Sequence, residues 1–350
     1  MEYSYRKITI LGSETFIYIL NDSIYYPFWG LGRRSVYIFP VLTNKLVMKK
    51  LVLSISFIVI ILFAVDRIGG VVLKLCSMHT YTHAEVKMEH LVRNSLEDVI
   101  LLGTSRVDNH YVPSIIRDTL QMTVYNGGIS SSDNIYSHYL VLNNLLSYHA
   151  PKVICLEIMN NDFLKSSQPY QFISFFAPYI GTSESADSVY MDAKTLPLYK
   201  LSHLYRYNSK VMETIYGLIV RRTYSLDNGY MANPKPTKIL SSMEEANTDT
   251  VYDANKLIYI EKFINKCRSM NVKVVLTISP KYQNVDSTYY KPIYSIASRY
   301  RVPLLDYHTS RLFHNHPEYF SNTSHLWDEG ARMYSSIFAH DLKHIIKTLR

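Results

Sequence analysis

The chain has 350 residues, 47% hydrophobic and 19% charged, with 37 Lys and Arg against 29 Asp and Glu and a formal net charge of +8. This length and composition exclude a disordered chain and leave room for one large domain or two small ones around a sizeable core. The charge is unevenly spread: Arg6, Lys7, Arg33, Arg34, Lys45, Lys49 and Lys50 face only Glu2, Glu14 and Asp22, so half of the excess precedes Leu51. No Arg/Lys cluster interleaved with aromatics follows, which argues against a nucleic-acid partner. Cys76, Cys155 and Cys267 are far apart and odd in number, so they form neither a disulfide framework nor a zinc spacing.

Residues 1–47 show neither a helical nor a strand period and carry no readable role. Met48 opens a different pattern: Lys49 and Lys50, then fifteen uncharged residues from Leu51 to Val65, the order of a secretory signal or anchor. Fifteen is short of the ~20 residues that span a hydrocarbon core, and Ile68 to Leu75 supplies further apolar length beyond Asp66 and Arg67. No small-x-small cleavage pattern follows, so the segment 48–75 is expected to stay as a membrane anchor. The basic residues before it put the N-terminus in the cytoplasm and everything after about residue 75 on the extracytoplasmic, periplasmic side. The competing reading is a buried core helix.

From Asp98 onward short apolar strands alternate with amphipathic helices. Val99 to Leu102 precedes a helix near Val112 to Leu120; Thr123 to Tyr125 precedes one near Asn134 to Leu146; Val153 to Ile158 runs into a loop. A helix near Ala254 to Met270 leads to Val272 to Ile278, one near Tyr289 to Tyr300 leads to Val302 to Leu305, and Asp328 to Leu349 closes the chain. Five such strands predict an α/β fold with a central parallel sheet covered on both faces. The stretch 163–253 is too long for a simple connection and reads as an insertion, with a helix expected from Leu201 to Val220.

Chemistry-bearing residues collect where strands end. Gly103 stops the first apolar run and leaves Ser105 at the carboxyl edge, where open α/β sheets place their ligands. Ser105 reads either as a nucleophile or as a helix cap. After the second strand comes Asn126-Gly127-Gly128-Ile129-Ser130-Ser131, a turn rich in backbone N–H groups; after the third comes Asn160-Asn161-Asp162, whose amides suit an oxyanion or a turn. Before the last helix comes Asn322-Thr323-Ser324-His325-Leu326, followed by Gly330-Ala331.

Together these four blocks resemble the SGNH (GDSL-like) hydrolase superfamily, and its membrane-anchored bacterial members in particular. The resemblance implies a flavodoxin-like three-layer sandwich, with Ser105 as nucleophile, His325 as base, and an oxyanion hole from Ser131 and Asn161, Asn160 being a close rival. It implies no metal or organic cofactor, and an acylated small molecule or a glycan O-acyl group as the partner. Ser131 stands where the family has glycine, which leaves a backbone N–H available. Asn322 stands where the family has Asp, and a neutral amide orients an imidazole without stabilising its cation. Two outcomes are open to such a site: Asp306 or Asp328, nearby in sequence, stands in for the missing carboxylate, or the site works as a Ser-His dyad. The expected function is therefore acyl-ester hydrolysis or acyl transfer; the alternative is a catalytically silent glycan- or protein-binding domain.

Overall fold

In the computed structural model the N-terminal stretch is an antiparallel meander, β1 (Ser4–Ile10), β2 (Ser13–Leu20) and β3 (Ser23–Tyr25). Two residues separate each pair, Leu11-Gly12 and Asn21-Asp22, and the strands are rich in Thr, Ile and Tyr, a hairpin signal that needs no apolar period. The described residues are 4–10, 13–20, 23–25 and 45–348, except 78, 80, 81, 131–133, 168, 171, 172, 174, 175, 177, 182, 183, 209, 220–226, 237–250, 283–286 and 315. The chain divides into two units, Met1–Ile68 and Gly69–Arg350.

A single helix, α1 (Lys45–Ser77), runs through Asp66 and Arg67 rather than breaking there. The Arg67 guanidinium lies 4.5 Å from the Phe63 ring centroid, so the charge is held over an apolar neighbour within the helix. The stretch Met48–Ser77 is long and apolar enough to cross a membrane.

The second unit is built on five parallel strands. After α2 (His83–Glu89) come β4 (Val99–Leu102), α3 (Ser105–His110), α4 (Pro113–Leu120), β5 (Val124–Asn126), α5 (Ile135–Tyr148) and β6 (Val153–Glu157). The insertion then contributes α6 (Glu184–Asp192), α7 (Leu196–Leu201) and α8 (Val211–Ile219). The chain closes with α9 (Ala254–Ser269), β7 (Lys273–Ile278), α10 (Lys291–Arg299), β8 (Leu304–Asp306), the short strands β9 (Phe320–Asn322) and β10 (His325–Leu326), and α11 (Asp328–Thr348). The single helix expected over Leu201 to Val220 is instead two helices joined by a 3-10 turn at Tyr205–Tyr207.

The sheet order is β5-β4-β6-β7-β8, all parallel, the flavodoxin-like order. Successive side chains of a strand point to opposite faces. Ile100 and Leu102 accordingly join one core, with Leu142 of α5 and Phe263 of α9. Val99 and Leu101 join the other, with Ile116 of α4 and Phe338 of α11. Both faces are covered, which is the three-layer α/β arrangement. The chain leaves β4 for β5 on one side and returns to β6 on the other, so the topological switch point lies between β4 and β6, at whose carboxyl ends sheets of this order place their ligands.

Candidate active site

Ser105 is the first residue of α3, directly after Thr104 at the end of β4, and is half-buried. It does not cap the helix. The approach is tight: a Cβ on Gly103 would meet Val107 Cγ2 at 2.5 Å and Glu157 Cβ at 3.0 Å, so only glycine lets α3 fold back onto β6 there.

The Ser105 Oγ lies 2.7 Å from His325 Nε2, across 220 positions of sequence. The His325 ring in turn lies with Nδ1 3.0 Å from the Asn322 Oδ1. An amide oxygen only accepts, so Nδ1 carries the proton and Nε2 is left with a lone pair toward the serine hydroxyl. Asn322 Oδ1 also accepts the backbone N–H groups of Ser324 at 2.9 Å and His325 at 3.0 Å, which closes the turn between β9 and β10. Neither carboxylate considered as a substitute reaches the imidazole. Asp306 accepts from His308 and from the Tyr294 hydroxyl, and Asp328 from Arg332 and the Tyr230 hydroxyl. Partial burial and the nearby Arg106 cation hold the His325 imidazole below its ordinary value of 6.5, so the ring is neutral at pH 7.

Three buried polar residues that the motifs do not mark hold this pair. The Leu326 N–H donates to His110 Nε2 at 3.0 Å, which leaves His110 Nδ1–H to donate to Ser279 Oγ at 3.0 Å; the Ser279 hydroxyl donates to Glu157 Oε1 at 2.7 Å. Burial, reinforced by Arg106 and His325, keeps His110 well below 6.5 and therefore neutral. Arg106 donates to the carbonyls of Ser279 and Pro280 and lies 3.5 Å from the Glu157 carboxylate, so the ends of β4, β6 and β7 are tied together.

The second block is fastened by a separate network. Asn126 Nδ2 donates to the carbonyls of Val107 at 2.6 Å and Tyr111 at 2.8 Å, while its Oδ1 accepts the Gly128 N–H at 3.0 Å. Buried Asp108 accepts from Lys87 Nζ at 2.7 Å and the Ser130 hydroxyl at 2.7 Å, with His83 Nε2 at 2.8 Å. Burial alone would raise the Asp108 carboxyl, but Lys87 and His83 outweigh it and hold it below 3.8. Ser131 lies outside the described residues.

In the third block Asn160 and Asn161 differ. The Thr104 hydroxyl donates to Met159 Sδ at 2.6 Å, which sets this turn beside the strand end that carries Ser105. The amide oxygen of Asn160 accepts from Lys281 Nζ at 2.9 Å and the Tyr290 hydroxyl at 3.3 Å, so its NH₂ points away from both. Burial, with Arg106, lowers the Lys281 amine to about 7. Asn161 is exposed, and its backbone carbonyl is held by Lys256 at 2.8 Å. Among the described residues no cluster of His, Cys, Asp or Glu suits a metal ion.

No protein-family model matches the chain, and no curated protein matches its sequence. Among solved structures it is similar to a Desulfitobacterium hafniense protein described as lipolytic and of the G-D-S-L family, at 12% identity over 69% of this chain and 97% of the other, with a TM-score of 0.36. It is also similar to a Bacteroides fragilis protein described as an acylhydrolase, at 14% identity over 77% of this chain and 96% of the other, with a TM-score of 0.37. Those scores are low, and the functional reading rests on this chain's own residues.

Proposed function

We propose that the protein is a serine acyl-ester hydrolase or acyltransferase, and the observation that carries the reading is the 2.7 Å contact between Ser105 Oγ and His325 Nε2. The serine oxygen attacks the ester carbonyl carbon as its proton passes to Nε2. The resulting oxyanion is held by N–H donors, and the imidazolium returns the proton to the departing alkoxide as the C–O bond breaks. Water or an acceptor hydroxyl then takes the acyl group by the same steps reversed. Asn322 keeps the tautomer correct but offers no charge to the imidazolium.

The oxyanion donors are proposed as the Ser105 and Ser131 N–H groups with one amide of the third block. The fixed orientation of Asn160 favours it over Asn161 for that role. The substrate class, an O-acyl group on a small molecule or surface glycan, rests on the family resemblance of the four blocks, as does action outside the cytoplasmic membrane on the basic residues ahead of the apolar helix.

Replacing Ser105 by Ala is expected to lower hydrolysis of a short-chain aryl ester by at least about 10²-fold, less than in a triad with a carboxylate because Asn322 supplies no charge. It should also remove labelling by a serine-reactive fluorophosphonate. Unchanged turnover sinks the mechanism. The neutral Asn322 favours a second reading, a binding domain that keeps the geometry without the rate. Restoring the charge separates the two: Asn322→Asp raises kcat in an enzyme and leaves a binding domain silent and unlabelled.

A further inference from the structure

Helix α8 is inside out. Its buried stripe, with the residue before it, is Lys210, Thr214 and Gly217, at spacings of four and three. Its solvent face carries Met212, Ile215 and Ile219, which are 76%, 44% and 75% exposed, with Leu218 beside them. A helix packed on a soluble core turns its apolar stripe inward. Here a lysine is taken inward instead, where Lys210 Nζ lies 3.4 Å from both Glu85 and Glu213.

That ion pair also says where α8 sits. Glu85 belongs to α2, the helix that follows α1, and Ser77, Glu85 and Lys210 line one cavity. Just before α8, the chain is pressed onto the last turns of α1: a Cβ on Gly69 would meet Leu204 at 2.7 Å, and one on Gly70 would meet His203 at 2.3 Å. A hydrocarbon core takes about 20 residues of helix, so a span that begins at Leu51 leaves the core near Gly70, where His203 and Leu204 pack. The segment leading into α8 is thereby packed on residues 69 and 70, in the last turns of the one helix, among the described residues, that is long and apolar enough to cross a bilayer. Leu198, at 49% exposure, adds to the same segment, and Arg221-Arg222 follow α8 in the sequence, the basic flank an interfacial helix uses against anionic headgroups.

We propose that α8 lies in the plane of a lipid bilayer with Met212, Ile215 and Ile219 in the boundary between headgroups and acyl chains, a second membrane contact beside α1. The partner is a lipid surface. The contact would hold the insertion, and with it the domain, against the membrane instead of leaving it free on a tether.

The test uses the full chain in nanodiscs of phosphatidylcholine and phosphatidylglycerol. In a Cys76→Ser background, Met212→Cys, Ile219→Cys and, as a control on the exposed end of α9, Met270→Cys each carry an environment-sensitive fluorophore. Lipids brominated near the headgroup are expected to quench about half of the emission at 212 and 219 and almost none at 270, with iodide in the buffer showing the reverse. Equal iodide quenching at all three positions overturns the proposal. So does shielding from iodide without bromolipid quenching, which would mean that protein covers the face; cross-linking between two copies at 212 would identify a second copy as that cover. In the unlabelled protein, amide exchange across 211–219 is expected to be slower in the same nanodiscs than in a lipid-free amphipathic polymer, and unchanged exchange overturns the proposal.

Discussion

Ser105 stands on a helix whose next five residues, Arg106 to His110, are all buried, whereas His325 stands on a two-residue strand beside an exposed Asn322. The Ser105 side is braced by charge: Asp108 with Lys87, and Arg106 with Glu157. The His325 side hangs on neutral hydrogen bonds, chiefly Leu326 N–H to His110 and the Asn322 turn. Charge-assisted bonds are about twice as strong as neutral ones. Errors of position therefore concentrate at the hairpin, and the hairpin is where rate can change without loss of fold.

Breaking the braced side should cost the most. Asp108→Asn leaves Lys87 buried without its counter-charge and is expected to remove about 3–5 kcal/mol of stability, read from urea unfolding at pH 7. Because the folded Asp108 carboxyl lies below its unfolded value, its contribution is present above about pH 4 and is lost as pH falls further; the variant should lack that acid-sensitive component. A variant as stable as the parent would show that the network is not what holds α3.

Next in size is the amide of the third block. Asn160→Ala should lower kcat about 10²–10³-fold with little change in KM, and Asn161→Ala should do far less. The opposite ranking would return the oxyanion role to Asn161. On the His325 side, His110→Phe keeps the ring's bulk but strands the Leu326 N–H, at a cost of about 1–3 kcal/mol. Its kcat should fall while fluorophosphonate labelling slows; an unchanged kcat would mean that Asn322 alone positions the imidazole.

The smallest effect is in the pH profile. The acid limb of kcat/KM should lie below 6.5, since His325 must be neutral to accept the serine proton and is held under its ordinary value. Lys281 loses its proton as pH rises through about 7, which weakens its hold on the Asn160 oxygen and should give a shallow decline above neutrality. Lys281→Met should remove that decline and leave the acid limb in place.

Much of this arrangement is legible along the chain. The buried strands read directly from apolar runs such as Val99–Leu102, and the four blocks fall at strand ends because glycine and amide residues punctuate those runs. The meander at residues 4–25 was legible in principle, through two-residue gaps between β-rich stretches. The helix expected over Leu201 to Val220 is met only in part: helix holds at Val211–Ile219, while the chain before it turns through Tyr205–Tyr207.

What the sequence alone determined is therefore the order of the five parallel strands and the helices that flank them, the apolar helix ahead of them, and the residue types available at the sheet's carboxyl edge. Those follow from local spacing, which a strand or helix converts into a face. Only the tertiary structure decided that His325 meets Ser105, that Asn322 and not Asp306 or Asp328 is the imidazole's partner, and that Lys87, Asp108, His110 and Glu157 are interior. A polar side chain is buried only when a partner from a distant part of the chain completes its hydrogen bonds, and no neighbour in sequence announces that partner.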